Sequence, residues 1–198
     1  MTDILLMRHS TTDDVNSRLA GRIDSPLNIT GRQKAQELAV SLSGQPIRAV
    51  YASPMQRTMQ TAQPLADRLR MSVKPMPELI QVDYGSWESK AFWELEADPV
   101  WRKYVNAPQG QIPGGEHVDD IVARIESGLL KISKENPGDQ MVIAVSHGSI
   151  IRFAIAHFLG MEPGYSNRLK IYPGSVSVLR IMDDGVGILV SMNRLFQS

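Results

Sequence analysis

The chain has 198 residues with 21 basic and 21 acidic side chains, so its formal charge is zero and it lacks the broad cationic footprint of a nucleic-acid or membrane binder. It carries no cysteine, which removes disulfides, thiolate nucleophiles and cysteine–zinc sites. A 42% apolar fraction over this length suits one compact domain spanning residues 1–198.

The first element is a buried strand, Ile4-Leu5-Leu6-Met7, that runs straight into Arg8, His9 and a polar turn, Ser10-Thr11-Thr12. It begins almost at Met1, so no signal peptide is expected. A polar loop follows, and Thr30 with Gln33 three residues on has the spacing of a capping box, opening a helix that Gly44 and Pro46 close. A second strand, Ala49 to Ala52, stops at Ser53-Pro54. Serine at the cap and proline at the first helical position predict a helix over Met55 to Arg70. Residues 78–113 hold all three tryptophans with little strand pattern and read as irregular chain plus short helices, a cover over the rest. Val118, Ile121, Val122, Ile125, Leu129 and Ile132 recur at helical spacing, with Glu116, Asp119 and Asp120 favourable near the helix start. That placement explains the acidic cluster around His117 better than a metal site does. A third strand, Met141 to Ser146, leads into His147-Gly148 and a helix from Ser149 to Leu159. Val176–Met182 and Val186–Met192 form a closing hairpin around Asp183-Asp184-Gly185.

Near-continuous apolar strands alternating with helices predict a three-layer α/β/α architecture around a mostly parallel sheet. Ligands of such sheets bind beyond the carboxyl ends of the strands, where His9, Ser53 and His147 all fall. Arg8, His9, Arg57 and His147 therefore converge on one tetrahedral anion. The arginines supply bidentate donors, a neutral imidazole attacks phosphorus, and the second histidine, if cationic, would stabilise charge on the transferring group. Gly148-Ser149 at a helix start adds backbone N–H groups.

Five ordered segments carry a resemblance. LLMRHSTT is similar to a Leu-x-Arg-His-Gly-x-Thr signature, and GRIDSPLNITGRQKAQELA to the loop and helix that follow it. ASPMQRTMQTA resembles Ser-Pro-x-x-Arg-x-x-x-Thr-Ala, PGGEH resembles Pro-Gly-Gly-Glu-Ser, and VSHG the segment with the second histidine. Together they resemble the histidine phosphatase superfamily, the phosphoglycerate-mutase-like fold, over nearly the whole chain. The resemblance implies His9 as the phosphorylated nucleophile and Arg8, Arg57 and His147 as phosphate ligands, with Ser10, Gly21 and Gly148 beside them in the binding pocket. It implies no cofactor, no metal, a small phosphorylated metabolite as substrate and a cytoplasmic monomer or homodimer.

The chain departs from the family pattern at four places. Gln81 occupies the position of the glutamate that donates a proton, and an amide has none to give. Asp83 is the first neighbour in line to replace it, ahead of Glu78, Glu88, Asp13 and Asp14. Ser10 stands for the glycine beside the nucleophile, and Ser89 for a second glycine. Val15 stands for the expected asparagine, with Asn16 one step away to serve as a ligand. The leading expectation is a phosphomonoester hydrolase working through His9. The alternatives are an impaired pseudo-phosphatase that only binds a phosphorylated ligand, and a phosphoglycerate-type mutase. Family mutases carry a longer insertion before the second histidine, and this chain is short there.

Overall fold

A computed structural model describes residues 1–15 and 17–196. Six strands form one sheet in the order β3-β2-β4-β1-β5-β6. In chain order they are β1 (Thr2–Arg8), β2 (Ile47–Ala52), β3 (Val73–Pro75), β4 (Gln140–Ser146), β5 (Val176–Ile181) and β6 (Gly187–Arg194). The first four in space are parallel. The hairpin of β5 and β6 adds an antiparallel edge beside β1. Four helices flank the sheet: α1 (Ile29–Leu42), α2 (Gln56–Leu69), α5 (Val118–Glu135) and α6 (Gly148–Phe158). The short α3 (Phe92–Ala97) and α4 (Pro99–Asn106) lie over the strand ends.

Two-residue periodicity divides the core. Leu5 and Met7 of β1 pack with Leu38, Leu42 and Leu65 of α1 and α2. Ile4 and Leu6 point to the other face, against Ile121, Ile125 and Leu129 of α5 and Ile151 of α6. Each fully buried leucine or isoleucine contributes about 1.5–3 kcal/mol, so both layers hold the strand from opposite sides.

Two predicted caps differ from the structure. Asn28, not Thr30, caps α1: its side-chain oxygen accepts from Gly31 N–H at 2.8 Å. The chain enters the helix early because Asn28 N–H is already tied to the Thr11 carbonyl at 3.1 Å. Met55 occupies the cap of α2, and Ser53 turns its hydroxyl to His147 instead. The three-residue strand β3 was not foreseen, since so short an edge strand leaves almost no pattern.

Parallel register sets the working rim. Arg8 pairs with Ser146 and Ala52 with Val145, so the three strands end level. The His9 and Ser53 N–H groups extend the ladder by one bond each, to the Ser146 and Val145 carbonyls. His9, Ser53 and His147 thus leave the sheet side by side.

Candidate active site

A cavity of about 280 Å³ opens at this rim, lined by Arg8, His9, Arg57 and Gly148 from the strand ends and by Gln81, Trp101 and Tyr104 from the cover. The His9 and His147 rings lie 5.3 Å apart at 62°. Hydrogen bonding assigns each tautomer. The Ser10 carbonyl can only accept, so His9 Nδ1–H donates to it at 2.7 Å and Nε2 keeps its lone pair. Arg57 Nε–H can only donate, so His147 Nδ1 accepts from it at 3.3 Å and Nε2–H donates to Ser53 Oγ at 2.8 Å.

Burial, with Arg57 and Arg8 adding repulsion, lowers His9 to about 3. Its imidazole is therefore neutral throughout the neutral range, as a nucleophile requires. Burial also pushes His147 well down, reinforced by His9 and Arg57. His147 is thus a neutral, doubly hydrogen-bonded ring. Positive charge comes instead from the arginines. Burial lowers both Arg8 and Arg57 to about 10, which leaves them charged at neutral pH.

Arg57 is held on all sides, donating to the Ile23 carbonyl at 2.7 Å, the Gly21 carbonyl at 2.8 Å and Met55 Sδ at 3.2 Å. Arg8 donates to the Ile171 carbonyl at 2.6 Å, while its buried Nε has no hydrogen-bond partner among the described residues. Gly148 lets the first turn of α6 approach this guanidinium, since a Cβ there would stand 3.3 Å from Arg8 Nε. Gly21 lines the cavity with a left-handed φ of 52°.

The departures from the family pattern resolve differently. Gln81 lines the cavity, with Oε1 anchored by Val82 N–H at 2.9 Å, which leaves its amide NH₂ as the end available to a ligand. Asp83 does not reach the cavity. Its carboxylate accepts from Gly85 N–H at 2.9 Å and faces Arg22 at 3.5 Å. Ser10 is also outside the cavity, with a buried hydroxyl that has no partner among the described residues. Its backbone is not among the positive-φ residues, so no glycine is needed there. Ser89 does keep the glycine conformation, at φ 67°. Val15 lines the cavity; Asn16 lies outside the described residues.

Of the tryptophans, Trp87 is core, Trp93 is exposed and Trp101 lines the cavity. Glu116 is engaged by Arg124 at 2.9 Å and Arg22 at 3.0 Å, and His117 caps α5 by accepting from Asp119 N–H at 3.2 Å. Several lining residues were not anticipated: Arg152, Tyr84 and Arg18, the last paired with Asp14. Arg152 was legible in principle, because it lies four residues after Gly148 on the same helix face.

Residues 4–194 match the family model described as histidine phosphatase superfamily (branch 1). A Proteus mirabilis protein named probable phosphoglycerate mutase GpmB is 30% identical over 181 residues, covering 89% of this chain and 84% of its own. The bifunctional protein Rv2228c of Mycobacterium tuberculosis is 31% identical over 98% of this chain, which spans only 54% of that protein. A phosphoserine phosphatase from Entamoeba histolytica, solved in complex with 3-phosphoglyceric acid, superposes with a TM-score of 0.86 at 26% identity, covering 98% of both chains.

Proposed function

The chain belongs to branch 1 of the histidine phosphatase superfamily, and from that premise we propose that it hydrolyses small phosphomonoesters through a phosphorylated His9. The observation that carries this reading is the His9 ring itself. Nδ1–H is committed to the Ser10 carbonyl, Nε2 is unprotonated, and the ring lines a cavity shared with the Arg8 and Arg57 guanidiniums.

The substrate phosphoryl group sits between the two arginines, and the His9 Nε2 lone pair attacks phosphorus. The N–P bond forms as the ester P–O bond breaks, and the leaving oxygen takes a proton from water. Gln81 steadies that oxygen with an amide hydrogen bond but transfers no proton. A second water then attacks phosphorus, releasing orthophosphate and restoring the neutral imidazole. His147 acts as a positioning residue, its Nδ1 orienting Arg57. Residues 78–113 cover the substrate and contribute Gln81, Tyr84, Trp101 and Tyr104 to its walls.

A pure phosphate binder has no use for a neutral, correctly oriented nucleophile, which disfavours the pseudo-phosphatase reading. A mutase would have to retain phospho-His9 until a second acceptor arrived. The test is hydrolysis of p-nitrophenyl phosphate, whose leaving group departs without an acid. Turnover by the parent chain that disappears in His9→Ala is expected. A folded His9→Ala protein as active as the parent refutes the assignment.

A further inference from the structure

Gln81 exchanges no proton, so another group is needed to deprotonate the water that releases phosphate from His9. Among the described residues that line the cavity, Asp14 is the only carboxylate. Asp13, Glu78, Asp83 and Glu88 are absent from its wall. The Asp14 backbone fixes that placement. Its carbonyl accepts from Ser17 N–H at 3.1 Å, Arg18 N–H at 3.2 Å and Ser17 Oγ at 3.0 Å, closing a tight turn after His9. Arg18 bridges onward to Ala91, and Leu19 N–H donates to the Lys90 carbonyl at 3.0 Å, which ties the turn to the cover.

Asp14 is only 5% exposed, and its Oδ1 accepts from Arg18 Nε–H. A carboxylate on the wall of a phosphate pocket weakens anion binding by like-charge repulsion, so binding alone gives it no use. Proton transfer does. Burial pushes the Asp14 carboxyl up, but the Ser25 hydroxyl, Arg18 and Arg57 outweigh it and hold it below the ordinary carboxylate range. It is therefore ionised at neutral pH, able to accept a proton and unable to supply one to the leaving oxygen. Arg57 and Asp14 each shift the other, which puts the carboxylate near the guanidinium that holds the phosphoryl group. The negative charge of a phosphorylated His9 then raises the basicity of Asp14 when the water arrives.

We propose that Asp14 is the general base of the second half-reaction, taking a proton from the water that attacks phospho-His9. The assignment rests on the hydrolase reading. The water oxygen bonds to phosphorus as the N–P bond breaks, and the N–P electron pair returns to His9 Nε2. One water proton moves to Asp14 Oδ2 while Arg18 holds Oδ1. The other stays on the oxygen and leaves with orthophosphate. Asp14 then gives its proton to solvent, where it neutralises the hydroxide left by the first step. A base placed in this way contributes about 10²–10⁴-fold to the step it serves.

The test is stopped-flow hydrolysis of p-nitrophenyl phosphate by the full chain, which separates the two half-reactions. Asp14→Asn should release p-nitrophenolate in a burst equal to the enzyme concentration, at a rate within about twofold of the parent's first step. The steady rate that follows should fall by about 10²-fold, and an acid-labile, alkali-stable phosphohistidine should accumulate. Adding formate to Asp14→Ala should restore steady turnover, because a free carboxylate then fills the vacated place and takes the proton. A merely structural ion pair with Arg18 predicts neither the burst nor the rescue. A burst slowed in the same proportion as the steady rate assigns Asp14 to the phosphoryl pocket and overturns the proposal, as does an unchanged steady rate. If Asp14→Asn gives no burst, the formate arm decides: no recovery in Asp14→Ala overturns the base. Turnover that depends on His9 but not on Asp14 leaves the hydrolase reading standing. A parent no faster than His9→Ala sinks that reading and the base with it.

Discussion

The depressed His9 makes the protein acid-sensitive in a way that one substitution should remove. An unfolded histidine titrates near 6.5, whereas the folded His9 is lowered to about 3 by burial and by Arg57 and Arg8. The unfolded chain therefore binds a proton that the folded chain refuses. The associated stability is complete above about pH 6.5 and is lost progressively as the pH falls toward about 3. Between about pH 7.5 and about pH 5, one such group removes roughly 2 kcal/mol, a sizeable part of the 5–15 kcal/mol of a typical domain. His9→Asn eliminates the titration while its amide can still donate to the Ser10 carbonyl in place of Nδ1–H. Urea midpoints at the two pH values, for both proteins, read the difference directly, because the carboxylates and the histidines not coupled to His9 cancel. His147 reinforces the sign, since His9 is among the groups that lower it. The variant should lose roughly 2 kcal/mol less than the parent on acidification. Equal losses in the two proteins would refute the reasoning: His9 would then be solvated enough to titrate normally in the folded state.

Three further outcomes are expected. Gln81→Glu restores a proton donor at the cavity wall and should raise kcat on glycerol phosphate by about 10²-fold or more, most at acidic pH, while p-nitrophenyl phosphate changes little; equal gains on both substrates would contradict the role given to Gln81. Ser53→Ala strips the acceptor from the buried His147 Nε2–H and should cost about 1–3 kcal/mol in urea unfolding, lowering kcat more than it changes KM because Arg57 loses its fixed partner. Ser89→Gly relieves a left-handed backbone at φ 67° and should stabilise the chain by about 1 kcal/mol; a lower urea midpoint would show that the serine side chain contributes more than the strain removes.

Much of this protein is determined locally and was legible from the amino-acid order. Alternating burial along Ile4–Met7 dictates a strand covered on both faces, and the three apolar runs ending at His9, Ser53 and His147 determine that those residues share a rim. The period of Val118 to Ile132 likewise determines α5. These features follow from strand and helix geometry, which a few neighbouring residues settle.

Tertiary structure alone decided which polar groups compete for one another. Ser53 carries a good capping side chain, yet His147 arrives from a strand 94 residues away and takes its hydroxyl. Asp83 is acidic and near Gln81 in sequence, but Arg22 and the Gly85 N–H hold it outside the cavity. His147, whose charge the sequence leaves open, is kept neutral because packing removes its water and places Arg57 against it. Each outcome depends on desolvation and on contacts between distant segments, and neither is written in the spacing of residues along the chain.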